Sequence, residues 1–453
     1  MFWNKNKKTQ EKPINYNKKV IIIGGGLSGL ISGIHCLLKG MNVTIIEKNS
    51  QFGGKLSIPK HENYPYIIYD KTKFKELIDE LNIKISIDNN YKIDNLDYDY
   101  NEFIDFLNSN SIDDNKIIKD FSNELLRLIN NKKANKKYEK IAIKDYVEDI
   151  NSKAIKEKIL SLLPNYLSMN VLLKYLSLYF RGEFCLYETQ ILSEIKAKYL
   201  ELGGKYLFNK EAKNINFYKK NIVKSIVLDD NTIIEGDYFI SAIDPHYTLN
   251  NLLNNKFNHV LSILYNDYLK TKMNYKISFL FAINKPFEYN NISIFVDELK
   301  VNSSKVNYIT FKKSLDDKYI YCDIYQTYDD YEYLKIFINK GNLYQEARNK
   351  TIKEIINIFN KNFKDYKITF KDSITLLDIQ KQYNSFNGTF CGFYETPNNI
   401  KIIGECNIKN LKNLFLCSPN LLYEGGIVNS LIIGKQCVEK IEEAIKNEEK
   451  KEI

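Results

Sequence analysis

Hydrophobic positions in this chain fall into two kinds of run. Lys19–Ile23 (KVIII) is a continuous β-branched stretch ending in glycines, the pattern of a strand buried on both faces of a parallel sheet. From Leu27 to Lys39 the apolar residues return at helical spacing, and Gly40 suits a C-terminal cap. Asn42–Ile46 is a second strand-like run, ending at Glu47. Strand, glycine turn, helix and strand together predict one βαβ unit.

Farther on, residues 71 to 180 alternate helical patterns with polar Asn/Asp/Lys loops. A helix is expected over Ser193–Leu202, stopped by Gly203 and Gly204. The short runs KYLF, NINFY, IVKSIVL and TIIEGDYFISA then read as a meander of strands, with Asp229-Asp230-Asn231 as one of its turns. YKISFLFAI (275–283) and NYITF (307–311) predict a second sheet. Leu343–Phe363 reads as a helix, Leu414–Cys417 as a last buried strand and Ile427–Ile445 as a last helix. No internal repeat is visible. The βαβ character recurs at both ends and in the middle, while two intervening blocks lack it. The expected architecture is therefore α/β, with a Rossmann-like nucleotide-binding domain interleaved with a mixed-sheet plus helical substrate domain.

The most apolar window, Ile159–Phe180, is about long enough to span a bilayer. Pro164, Asn165, Asn170 and Lys174 interrupt it, so it predicts amphipathic helices, buried or lying on a membrane surface.

Composition narrows this picture. A chain of 453 residues is longer than one hydrophobic core usually holds. The net charge of +9 arises from 65 basic and 56 acidic residues spread along the chain. No basic block with interleaved aromatics marks a strand-binding groove, so nucleic acid is not an expected partner. Loose attraction to anionic lipid, as a peripheral membrane contact, remains compatible with the charge. The seven cysteines include no C-x-x-C pair, which suits reduced thiols in a cytoplasm. The four histidines show no ligand spacing, so no metal centre is expected. The start is polar after Phe2 and Trp3 and does not read as a signal peptide.

The chemistry resides first in Gly24-x-Gly26-x-x-Gly29, which follows a strand and opens a helix. Gly24 permits the tight turn, Gly26 lets backbone approach a pyrophosphate, and Gly29 lets helix and strand pack closely. The amides that open the helix, at Leu27 and Ser28, offer N–H groups and a positive dipole end to phosphate. Glu47, at the tip of the second strand, can accept hydrogen bonds from ribose hydroxyls and disfavours a 2′-phosphate. Together these predict an adenine dinucleotide. A second glycine pair, Gly53-Gly54, follows Lys48 closely; it would let backbone pass near the pyrophosphate, with Lys55 neutralising phosphate charge.

That second pair is characteristic of flavoproteins related to the amine oxidases. With three further segments, the chain resembles the phytoene desaturase-like branch of the FAD-dependent oxidoreductases, within the flavin amine-oxidase superfamily. Residues 191–209 (ILSEIKAKYLELGGKYLFN) are similar to that family's helix–Gly-Gly–strand, after which a strand near Ala212 contacts adenine. Residues 237–253 (DYFISAIDPHYTLNNLL) are similar to the strand returning to the cofactor, with Ser241 and Ala242 near the dinucleotide. Residues 413–434 (NLFLCSPNLLYEGGIVNSLIIG) resemble the closing flavin motif, in which a helix N-terminus points at the flavin ring. Asn420, Gly425, Gly426, Ile427 and Val428 fall on its contact positions. A weaker match, residues 383–393 (YNSFNGTFCGF), resembles the substrate-side approach to the flavin.

The resemblance implies FAD as cofactor. It places the FAD-binding segments at 16–70, 186–260 and 399–446, and the substrate domain at 71–185 and 261–398, with an N-terminal arm at 1–15 and a charged tail at 447–453. The chain departs from the family pattern in three places, one of them Ser418-Pro419 and Asn420, which stand where small residues, often glycine, precede the ribityl-contacting side chain. Leu56–Asp70 is short and lacks an Asp-x-Gly element, and Glu424 replaces the first glycine of a Gly-Gly-Gly. The implied activity is hydride or electron transfer between flavin and a hydrophobic, isoprenoid or polyene substrate, by carbon–carbon desaturation or saturation. The alternatives are an amine or amino-acid oxidase, which requires a carboxylate-binding arginine among Arg127, Arg181 and Arg348, and a flavin-holding protein without turnover. No acid/base pair announces itself; Glu183, Asp244, His246, Tyr247 and Tyr383 are the polar residues to inspect.

Overall fold

The computed structural model describes residues 16–57, 64–88, 99–109, 115–131, 136–187, 190–267, 271–337, 340–399 and 404–452. The N-terminal arm with Phe2 and Trp3, and His61, lie outside them. The β-branched run Lys19–Ile23 forms the central strand of a parallel sheet, and its side chains from Val20 to Ile23 are all buried. Across the sheet the order is Leu414–Leu416, Tyr238–Ser241, Lys19–Ile23, Asn42–Ile46 and Lys205–Leu207. Each neighbouring pair is parallel. The strands thus come from three stretches far apart in sequence.

Helix Leu27–Leu38 packs on this sheet against the long last helix, Gly426–Glu452, and against helix Gln190–Glu201. The last helix continues through the stretch expected as a charged tail, because 448–452 consists of strong helix formers, Glu and Lys.

The expected meander divides. Ala212–Lys219, Ile222–Leu228 and Ile233–Glu235 form a three-stranded antiparallel sheet. The flanking runs Lys205–Leu207 and Tyr238–Ser241 instead join the parallel sheet. Tyr238–Ser241 is buried throughout, as an inner strand of a parallel sheet must be.

A second sheet is antiparallel, in the order Asn291–Val301, Ser304–Lys313, Tyr319–Gln326, Tyr275–Ile283 and Ile368–Ile374. One of its faces packs on helix Asn342–Asn362, with the rings of Phe311 and Phe359 5.1 Å apart. Helices between Tyr100 and Phe180 enclose a core of their own, including Phe103, Phe121, Leu172 and Leu176. Within the apolar window, Lys153–Leu160 and Met169–Phe180 are two separate helices broken around Pro164, and the second is buried over most of its length. Among the described residues no helix is long and apolar enough to cross a membrane. All seven cysteines are unpaired.

Candidate functional site

A cavity of about 630 Å³ opens where the C-terminal ends of the parallel strands meet the antiparallel sheet and the helical layer. It lies at the carboxyl edge of an open parallel sheet, the usual ligand position in such folds.

The first helix enters this cavity by its N-terminus. Its first turn carries no acidic residue, and its N-cap, Gly26, makes no side-chain capping bond. The glycines around it divide the work. A Cβ on Gly29 would lie 2.0 Å from the Gly24 carbonyl oxygen, so this position is closed by the protein itself. A Cβ on Gly26 would meet only the Gly54 Cα, at 3.8 Å, and otherwise faces the cavity. Gly26 bridges Gly53 as in a parallel ladder, and the Gly53 N–H donates to the Gly25 carbonyl at 2.9 Å. The two glycine pairs, apart in sequence, are therefore one continuous backbone surface.

Glu47 is buried at the end of its strand. Its Oε2 accepts from the Gly25 N–H at 2.7 Å; its Oε1 accepts from the Asn49 N–H at 2.8 Å and the Asn49 amide at 2.9 Å. A carboxylate offers about four lone-pair sites, so acceptor capacity remains for a ligand hydroxyl.

Of the residues singled out in the sequence, Gly24, Gly26, Leu27, Ser28, Glu47, Lys48, Gly53, Gly54, Lys55, Ala212, Ala242, Asn420, Gly425, Gly426, Ile427 and Val428 all line this cavity. Gly29 sits behind it, in the packing position just described. Both lysines are also held by the protein itself. The Lys55 ammonium donates to Ser385 Oγ at 2.6 Å and to the carbonyls of Thr389 and Phe390 at 2.9 Å, which ties the glycine loop to the 385–390 segment. Burial holds this ammonium below the ordinary lysine range. Lys48 likewise reaches the Lys381 carbonyl and Asn384 Oδ1.

On the opposite wall, the last helix also presents its N-terminus. Glu424, Gly425 and Gly426 are consecutive left-handed residues, with φ of 66°, 57° and 91°. The Asn429 amide holds the turn by donating to the carbonyls of Tyr423 and Gly425. Glu424 stands where a glycine would sit more easily. Its side chain is exposed, but to the cavity that surrounds it. Burial first, and then the charge of Glu395, raise its pKa from the ordinary 4.5 to about 7, against the pull of Lys174.

The polar candidates separate clearly. Asp244 lines the cavity; its Oδ1 accepts from the His246 N–H, and its Oδ2 from the Phe386 N–H and the Asn420 amide. Tyr247 lines it and donates to Glu211 at 3.2 Å. Tyr383 lines it with a hydroxyl that has no partner among the described residues. Glu183 instead caps the helix at Thr72, and His246 is packed against Phe386; neither lines the cavity. The three arginines lie elsewhere: Arg127 pairs with Glu124, Arg181 bonds the Ser177 carbonyl and Arg348 bonds Ser373.

Several cavity residues escaped the sequence reading. In place of the absent Asp-x-Gly element, the segment Tyr64–Tyr69 forms part of the wall. Lys276, Lys312, Glu395 and Lys174 also line it. Only Lys174 left a sequence signal, as a cation interrupting an otherwise apolar helix. Leu163, Leu167, Val171 and Leu178 form an apolar stretch of wall near it.

Comparison with known proteins agrees with this geometry. A family model described as an NAD(P)-binding Rossmann-like domain matches residues 22–71. Over 52 residues the chain is 42% identical to a 4,4'-diapolycopene oxygenase from Methylomonas sp, covering 12% of this chain and 10% of that protein. Over 69 residues it is 39% identical to a ferredoxin–NADP reductase from Geobacillus thermodenitrificans (strain NG80-2), covering 15% of this chain and 21% of that protein. The chain thus spans about a tenth and a fifth of these curated relatives in its matches. An oxidoreductase from Methanosarcina mazei has a similar solved structure, with TM-score 0.62 and 13% identity over 93% of this chain and 100% of that one. A protein from Pyrococcus furiosus gives TM-score 0.58 and 17% identity over 94% and 97% of the two chains. These structures show the fold: a mixed α/β molecule built on a Rossmann-like nucleotide-binding domain. The sequence matches support the resemblance to phytoene desaturase-like FAD-dependent oxidoreductases.

Proposed function

We propose that this protein is an FAD-dependent oxidoreductase that moves hydride or electrons between flavin and a hydrophobic substrate, of the isoprenoid or polyene class, to desaturate or saturate a carbon–carbon bond. One observation carries the reading. The Gly24–Gly29 turn, the Gly53-Gly54 pair and the Gly425-Gly426 helix start, brought together from distant parts of the chain, face one cavity that continues to an apolar helical wall. A nicotinamide dinucleotide alone accounts for the first turn but leaves the other two glycine pairs without a purpose. The relative named as a diapolycopene oxygenase supports the substrate class.

The residues present fit the cofactor. The uncapped amides of the first helix would hold the diphosphate, Gly26 would let it approach, and Glu47 would accept from ribose hydroxyls. The N-terminus of the last helix would place its dipole beside the ring system, where it favours an anionic reduced form. FAD, when bound, supplies the hydride or electron exchange; the chain's own part is to orient the substrate and exclude water. Amino-acid oxidation is the weaker reading, because none of the three arginines reaches the cavity.

The test is anaerobic reduction of flavin-loaded protein, followed by mixing with polyene acceptors. Oxidation of the flavin with loss of a double bond in the acceptor is expected. Flavin that stays inert in both oxidation states toward every acceptor and donor tried would assign a holding role without turnover.

A further inference from the structure

One patch of the cavity wall gathers two ammoniums around a single buried carboxylate, an arrangement that a pure hydrocarbon would leave unmatched. Three strands of the antiparallel sheet supply it. Register pairs Lys276 with Tyr325 and Ser278 with Asp323 across one strand boundary, and Thr310 with Asp323 and Lys312 with Tyr321 across the next. Side chains alternate along a strand, so Lys276, Asp323 and Lys312 share one face, with the carboxylate diagonally between the two ammoniums. The opposite face, with Phe279, Phe311 and Ile324, is hydrophobic core.

Asp323 Oδ2 receives Lys276 at 3.2 Å and Lys312 at 2.9 Å, and also the Tyr64 hydroxyl. Lys276 donates to the Tyr64 hydroxyl at 2.7 Å and stands over the Phe390 ring at 4.2 Å. The side chains of Lys276 and Asp323 are only 10% and 2% exposed. Two ammoniums thus share one carboxylate in a nearly dry setting, where an uncompensated charge is costly. Burial accordingly holds Lys276 below the ordinary lysine range even with Asp323 beside it, the direction expected of an ammonium short of counter-charge. Both lysines line the large cavity, and Tyr325, beside Lys276, packs against the helical cluster whose Leu167 and Val171 form the apolar wall.

We propose that Lys276 and Lys312 form a subsite for the anionic end, carboxylate or phosphate, of an otherwise apolar substrate whose chain lies along the helical wall. This rests on the flavoenzyme reading for its meaning, since it names the kind of molecule presented to the cofactor, but the charge cluster can be tested without flavin.

Decanoate, decyl phosphate and neutral decanol are titrated into the full chain, with and without FAD, by calorimetry. At least one anion is expected to bind about tenfold or more tighter than decanol, the scale of a charge-assisted hydrogen bond. The stronger of the two identifies the head group. Lys312→Met, which leaves Asp323 paired with Lys276, should reduce the preference severalfold and leave decanol unchanged. Asp323→Asn should increase it, and because it moves the preference the other way, general loss of fold cannot imitate it. Equal affinity for anion and alcohol, or a preference that neither substitution moves, overturns the subsite. An anion preference in protein that takes up no FAD keeps the subsite and removes the flavoenzyme reading; FAD uptake without anion preference does the reverse.

Discussion

Gly26 and Gly29 belong to one motif yet carry different loads, and single substitutions separate them. Gly29→Ala would press a methyl group onto the Gly24 carbonyl oxygen, at 2.0 Å before relaxation. Overpacking of this kind costs about 1–3 kcal/mol. Gly26→Ala meets no protein atom closer than 3.8 Å and keeps an ordinary φ of −70°. The expected result is a lowered melting temperature for Gly29→Ala. For Gly26→Ala it is near-unchanged stability with dinucleotide affinity reduced about tenfold or more. Thermal unfolding and a cofactor titration on both variants check this. The same residues mark what the sequence makes legible. The glycine spacing, the strand before it and Glu47 after it are all local, so the turn could be read directly. Lys276, Asp323 and Lys312 could not. They come together only because strand Tyr319–Gln326 lies between two strands that precede it in the chain.

At the scale of elements, short strands were the hard case. KYL and YFIS look like members of a local meander, because a run of four or five β-formers does not disclose whether its partner is its neighbour or a strand far away. The start of the last helix shows the complementary limit. Glu424 is visible as a departure from glycine, but its environment depends on Glu395 and on helix Met169–Phe180, which carries Lys174. A pH prediction follows from that environment. The folded state holds the Glu424 proton up to about pH 7, whereas an ordinary glutamate releases it near 4.5. Between those values the native state binds more protons than the unfolded one, so this group makes stability fall as pH rises through that window and level off above it. Water in the cavity screens the effect. Urea unfolding across the window should show a shallower fall for Glu424→Gln than for the parent chain; identical pH profiles would remove Glu424 from the account.

The whole molecule is organised so that the chain leaves the parallel sheet three times and returns three times. Each return brings part of the cavity wall with it: Ala212 after Lys205–Leu207, Ala242 after Tyr238–Ser241, and Asn420 to Val428 after Leu414–Leu416. Neither the first βαβ unit nor the tail helix encloses the site alone, and that is why a match confined to residues 22–71 identifies a nucleotide-binding domain without identifying a reaction. The convergence of the three stretches was expected from the βαβ character at both ends and in the middle of the chain, and from the family resemblance, rather than from any one local motif. The central claim is that this cavity holds an adenine–flavin cofactor. Titration of FAD into protein stripped of small molecules tests it most directly, with flavin fluorescence and melting temperature as readouts. One equivalent of FAD should bind, quench and raise the melting temperature, and Gly26→Ala should shift all three effects to about tenfold or higher FAD concentrations while folding normally. Protein that takes up no FAD, or that takes it up equally well with Gly26 replaced, would contradict the account.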